Sequence, residues 1–155
     1  MAIQVGDQAP DIELFDDQTN LFKLADQAGK NVVLLFYPGA FTSVCTTELN
    51  TVNNDLAAYG DNTVVVGIST DSPFAQSAFK QANALTFQLL SDHEGAVSAA
   101  YGAKYNNDFT PMKLDRISKR AAFVVDGNGA VKYAEVLENA GEMPDLDAVK
   151  NALNN

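Results

Sequence analysis

Two short apolar runs, NVVLLFYP at 31–38 and NTVVVGIST at 62–70, constrain the fold more than any other feature of the chain. Each is rich in β-branched residues and lacks the alternation of a strand with one wet face, which predicts strands buried on both faces. Between them, Ser43 to Tyr59 places Val44, Leu49, Val52, Leu56 and Tyr59 at helical spacing, and Gly60 is a suitable C-cap. Strand, helix, strand is a crossover unit, and it calls for a parallel pair packed on helices.

The remaining segments continue the alternation. DIELFDD and LFKLA, Asp11 to Ala25, read as an N-terminal hairpin about the turn-like DQTN. Ser72 and Pro73 open a second helix, since Ser is a good N-cap and Pro suits the first turn. FQLLSD reads as a strand and EGAVSAAYG as a short helix. AAFVVD and AVKYAEVLE read as a hairpin about Gly-Asn-Gly, and Pro144 to Leu153 as a closing helix, with NALNN expected to fray. This order predicts an α/β layered fold with a central mixed sheet flanked by helices.

Composition narrows the function. At 155 residues and 46% apolar content, residues 1–155 fit a single well-cored domain. A formal net charge of -10 repels phosphate backbones and anionic lipid, which argues against nucleic-acid or membrane partners. The N-terminus MAIQVGDQAPDIEL has no basic-then-apolar leader pattern, so a cytoplasmic protein is expected. One cysteine and one histidine, Cys45 and His93, make no metal cluster and no internal disulfide, so no metal or cofactor is expected. His93, in SDHEG, reads as a surface loop residue.

The lone thiol ends the stretch PGAFTSVC, 38–45. Pro38 closes the first buried strand, and Thr42 is placed to N-cap the following helix by accepting a bond from an unpaired amide. Cys45 then lies in the first turn, where the helix dipole favours a thiolate. That effect alone is too weak. Bringing an ordinary thiol from a pKa of about 8.5 to about 6 requires roughly 3.4 kcal/mol, and a helix terminus supplies at most about 2 kcal/mol. A cation is needed.

The chain has two arginines, Arg116 and Arg120, both in KLDRISKR. Arg120 directly precedes AAFVVD and is the candidate, because a guanidinium stays charged when desolvated and offers donors in a fixed fork. Glu48, one turn after Cys45, can orient it. The plainer alternatives are a buried inert cysteine, a solvated KLDRISKR loop and a surface Glu48.

P-G-A-F-T-S-V-C reproduces the P-x-x-x-T-x-x-C motif of the peroxiredoxins, and RAAFVVD resembles the arginine-plus-strand segment that completes their site. APDIEL, and LLSD followed by AVSAAYG, extend the resemblance over nearly the whole chain. It implies a thioredoxin-like fold and a thiol-dependent peroxidase acting on hydrogen peroxide and organic hydroperoxides. Cys45 would be the peroxidatic nucleophile, oxidised to a sulfenic acid; Thr42 would bond thiolate and peroxide, Arg120 would stabilise both, Pro38 would shield the site and Glu48 would support the arginine. With no second cysteine, an external thiol must reduce the sulfenic acid: a thioredoxin- or glutaredoxin-like protein or a low-molecular-weight thiol. Thr46, where one branch has proline, and the short C-terminus resemble the one-cysteine kind called alkyl hydroperoxide reductase E. The family resemblance also implies a homodimer. A peroxide sensor or chaperone switched by Cys45 oxidation is the alternative.

Overall fold

The computed structural model describes residues 3–154. Its frame is a five-stranded sheet in the order β5-β4-β3-β6-β7. The two apolar runs form β3 (Asn31–Phe36) and β4 (Thr63–Ser69), parallel and in register from Asn31 opposite Thr63 to Phe36 opposite Ile68. Parallel to β4 on its other side runs β5 (Gln88–Ser91). The late hairpin, β6 (Ala121–Val125) and β7 (Val131–Val136), joins the opposite flank, with β6 antiparallel to β3. The sheet is mixed, as expected.

Alternation along β3 divides the core in two, because successive side chains leave opposite faces of a strand. Val33 and Leu35 pack in one cluster with Leu49, Val52, Phe79 and Val149 from the helices α1 (Ser43–Asn54), α2 (Pro73–Asn83) and α4 (Leu146–Ala152). Val32, Leu34 and Phe36 pack on the other face with Ile12 and Phe22 of the N-terminal hairpin and with Tyr101, just after the short α3 (Ala96–Ala100). Both faces of β3 are therefore dry, which is why its sequence shows no polar alternation.

Several boundaries differ from the sequence reading. The hairpin strands β1 (Glu13–Phe15) and β2 (Leu21–Lys23) are shorter than Asp11 to Ala25, because Leu24–Gln27 turns into a 3-10 helix. The helix expected to reach Tyr59 stops at Asn54, and a separate 3-10 turn covers Leu56–Tyr59. The reason is tertiary: Asn53 donates to Ala84 O and accepts from Thr86 N, tying this end of α1 to the loop after α2. Gly60, with φ of 93°, ends the 3-10 turn rather than α1. Ser72 caps α2 by accepting from Ala75 N at 3.2 Å, with Pro73 at the first position. The closing helix begins at Leu146, not Pro144, because Asp145 is its cap, accepting from Ala148 N at 3.0 Å. Asn151 and Ala152 stay helical instead of fraying, anchored by the burial of Ala152; Asn155 lies outside the described residues. Among the described residues no helix is long and apolar enough to cross a membrane.

Candidate active site

The antiparallel pairing of β3 and β6 places Phe36 opposite Ala121. The end of β3 and the start of β6 therefore share one edge of the sheet, with neighbouring strands about 4.8 Å apart. PGAFTSVC leaves that edge from β3, and Arg120 stands at the same edge where the chain enters β6. This is how residues 75 apart in sequence meet: Arg120 Nη2 donates to Cys45 Sγ at 3.3 Å.

On α1 the inward positions are Cys45, Glu48, Leu49 and Val52, spaced i, i+3, i+4, i+7 along one face. The stripe that buries two apolar side chains thus carries the thiol and a carboxylate into the same interior. Glu48 is completely buried, not a surface carboxylate, and Arg120 Nη1 donates to its Oε1 at 2.7 Å. The guanidinium is held from a third side by the backbone carbonyl of Ala140, which accepts from Nη2 at 2.9 Å and Nε at 3.2 Å. A fork with donors committed to a carboxylate, a carbonyl and a sulfur has little rotational freedom left.

Two acidic groups share this one cation. Burial pushes the Glu48 carboxyl up to about 7, with the Arg120 charge and hydrogen bond opposing it. Its second oxygen, Oε2, is buried without a hydrogen-bond partner, consistent with the upward direction. For Arg120 burial works to lower the pKa, and the facing Cys45 and Glu48 more than offset it, so the guanidinium is held charged above its ordinary range.

Thr42 occupies the N-cap position with extended backbone, but its hydroxyl does not accept an amide bond as expected. It donates instead to Gly39 O at 2.8 Å, closing a tight loop before α1. Pro38 is buried at the start of that loop. A hollow of about 310 Å³ opens over the arrangement, walled by Pro38, Thr42, Val44, Phe109 and Ala140, and it reaches Arg120. Cys45 is fully buried and does not line it. A larger hollow of about 520 Å³ lies at the other end of β3, between Leu24, Val32 and Val125, and contains none of these groups.

Of the two arginines, only Arg120 belongs here; Arg116 is exposed and lies 3.7 Å from Glu94. KLDRISKR is thus a solvated loop at its start and a buried anchor at its end. His93 is exposed, as expected. Two contributors escaped the sequence reading. Ala140 acts through its carbonyl, which every residue type carries, so no sequence signal marks it. Asp71, whose Oδ2 accepts from Ala40 N at 2.8 Å, comes from the far side of β4 and carries only the signal of an acidic residue at a strand end.

The chain is similar to several known proteins over most of its length. The AhpC/TSA family matches residues 5–134. The chain is 35% identical over 155 residues to "Thiol peroxidase" of Streptococcus gordonii, covering 99% of this chain and 90% of that one. It is 36% identical over 155 residues to "Alkyl hydroperoxide reductase E" of Mycobacterium tuberculosis, covering 97% and 96%. The crystal structure of "Peroxidoxin BcpB" from the same organism superposes with a TM-score of 0.86 at 28% identity, covering 98% of this chain and 97% of that one. The fold is the thioredoxin-like one, and the chain belongs to the AhpC/TSA family of peroxiredoxins.

Proposed function

We propose that residues 1–155 form one catalytic domain that reduces hydroperoxides by a one-cysteine mechanism at Cys45. The observation that carries this reading is the donor from Arg120 Nη2 to Cys45 Sγ at 3.3 Å, inside a site where the guanidinium is already paired to Glu48. An inert buried thiol is a small hydrophobe and gains nothing from a desolvated cation beside it. A nucleophilic one gains its anion.

The Cys45 thiolate attacks one oxygen of ROOH, the O–O bond breaks, and RO⁻ leaves to be protonated as ROH; Cys45 becomes a sulfenic acid. Arg120 stabilises the thiolate and the developing charge on the oxygens. The Thr42 hydroxyl rotates from Gly39 O to donate to the incoming peroxide, Pro38 excludes water, and Glu48 keeps the guanidinium aimed. No second cysteine is present to form an internal disulfide. An external thiol, either a thioredoxin- or glutaredoxin-like protein or a low-molecular-weight thiol, therefore attacks the sulfenic sulfur and releases water. A second thiol then breaks the mixed disulfide and restores Cys45. The setting we propose is cytoplasmic, and the working form a homodimer.

The test is to mix the reduced protein with one equivalent of hydrogen peroxide and trap the product with dimedone. Rapid, stoichiometric labelling at Cys45 and multiple turnovers with added dithiol are the expected result. Oxidation no faster than that of a free thiol sinks the reading, and oxidation that no reductant reverses favours a sensor.

A further inference from the structure

We infer that Asp71 is a positioning residue for the peroxide step, fastening the loop that carries Pro38 and Thr42 from the opposite side of the sheet edge. The inference rests on the peroxidase reading above.

The loop is short and conformationally costly. Phe41 has φ of 65°, the left-handed region that a bulky side chain rarely adopts, and Thr42 next to it returns to extended backbone. Such a conformation persists only where surrounding contacts over-determine it. Two hydrogen bonds do so here. Thr42 Oγ1 closes the loop on Gly39 O from within, and Ala40 N donates out of the loop to Asp71 Oδ2 at 2.8 Å, across 31 residues of chain. The internal bond must break if Thr42 is to turn toward a peroxide. Ala40 to Asp71 is then the bond that keeps the loop in place during the step.

Asp71 is itself held by a polar chain running into the core. Ser69 Oγ donates to the same Oδ2 at 2.7 Å and accepts from Gln76 Nε2 at 3.1 Å. The other Gln76 donor goes to Leu90 O at 2.7 Å, and Ser91 Oγ donates to Asp71 O at 2.6 Å. Ser69 and Gln76 are fully buried, at the end of β4 and on α2, so the anchor is built into the scaffold rather than into another loop. With Gln76 donating to Ser69, the serine proton is directed at Asp71, and the carboxylate oxygen receives two convergent donors. A rigid acceptor behind a strained loop is what an active-site segment requires if its donors are to stay within a fraction of an ångström of productive geometry.

The experiment compares Asp71→Ala and Asp71→Asn with the unmodified protein in two reactions of Cys45, oxidation by hydrogen peroxide and alkylation by iodoacetamide. Alkylation needs the thiolate but not the loop donors, so it separates positioning from general damage. Asp71→Ala is expected to slow oxidation about tenfold or more while changing alkylation less than about threefold. Asp71→Asn, which keeps an acceptor oxygen for Ala40 N, is expected to recover most of the oxidation rate. Unchanged oxidation in Asp71→Ala overturns the inference. So does an equal loss in both reactions, or an Asn variant as slow as Ala. If Asp71→Ala fails to fold, Ser69→Ala takes its place; it removes one of the two donors to Oδ2 and must slow oxidation selectively, or the inference falls. A slow unmodified protein refutes the peroxidase reading itself, a result distinct from a fast protein indifferent to Asp71.

Discussion

At the scale of single residues, the site is a problem of one cation and two acids in a dry interior. Arg120 is the only guanidinium among the described residues that faces the sulfur, so Arg120→Ala should lower the rate of Cys45 oxidation by about 100-fold, the usual cost of removing one donor aimed at developing charge. Arg116→Ala, at an exposed position, should leave that rate within about twofold. Stopped-flow or competition kinetics with hydrogen peroxide checks both, and equal effects would mean that the guanidinium contact to sulfur carries no catalysis. Glu48 makes a different prediction. Its carboxyl is raised from an ordinary 4.5 to about 7 in the folded protein, so between those values the native state holds a proton that the unfolded chain has released. Stability from this group is fully present below about 4.5 and is lost as pH rises through about 7. Glu48→Gln, neutral at every pH and able to accept from Arg120, should remove that fall. Urea unfolding across pH 4 to 8 should show the gap between the two proteins moving in favour of Gln as pH rises; parallel curves would mean that the Glu48 carboxyl titrates alike in the folded and unfolded protein.

Elements, rather than residues, decide where the loops end up, and here small changes in packing test the frame. Gly67 lies in β4 between Leu35 and Leu89, and a Cβ built there would stand 2.8 Å from Leu89 Cδ2 and 3.2 Å from Tyr37 Cε1. Leu89 and Tyr37 are fully buried with nowhere to retreat, so Gly67→Ala should cost about 1–3 kcal/mol of stability, read as a lower urea midpoint. Opposite in sign is Ala84, the C-cap of α2, held at φ 52° and ψ 40°. Glycine there relieves the left-handed strain at the expense of a freer unfolded chain, and Ala84→Gly should gain up to about 1 kcal/mol. The same reasoning shows why part of this protein was readable in advance. The strands β3 and β4 announce themselves because burial on both faces leaves near-continuous apolar runs, VVLLF and VVVGI, with polar residues only at their ends, and Arg120 because a thiolate needs a cation and the chain has only two arginines to offer. The end of α1 was not readable, since it depends on Asn53 bonding to Ala84 and Thr86 on a different element. Nor was the hydroxyl of Thr42: its position was right, but its partner is the carbonyl of Gly39, chosen by a loop bend at Phe41 that no propensity specifies. Ala140 and Asp71 share that cause, because a backbone carbonyl and a long-range hydrogen bond are products of register.

For the whole molecule, the governing facts are a buried sulfur and a net charge of -10. Cys45 is completely enclosed while the hollow above it stops at Arg120, so a bulky reagent needs a larger opening to reach the sulfur than a small solute does. Hydrogen peroxide should therefore react far faster with Cys45 than an aromatic disulfide reagent does, relative to the same pair of reactions on a free thiol. On the proposed one-cysteine mechanism, recycling of the sulfenic acid is bimolecular, and the protein's net charge of -10 enters the rate. Thiolates are anions, and a strongly acidic protein lowers their local concentration at its surface. A thiol carrying a compensating ammonium group should accordingly outperform a neutral one, and a neutral one a carboxylated one, when rates are compared per thiolate at low salt. Raising ionic strength from about 0.01 M to about 0.1 M shortens the screening length from about 30 Å to about 10 Å and should draw the three rates together. The measurement is turnover with cysteamine, mercaptoethanol and thioglycolate across that salt range. A ranking that ignores salt would mean that the approach to Cys45 is governed by the Arg120 side of the hollow and not by the charge of the whole protein.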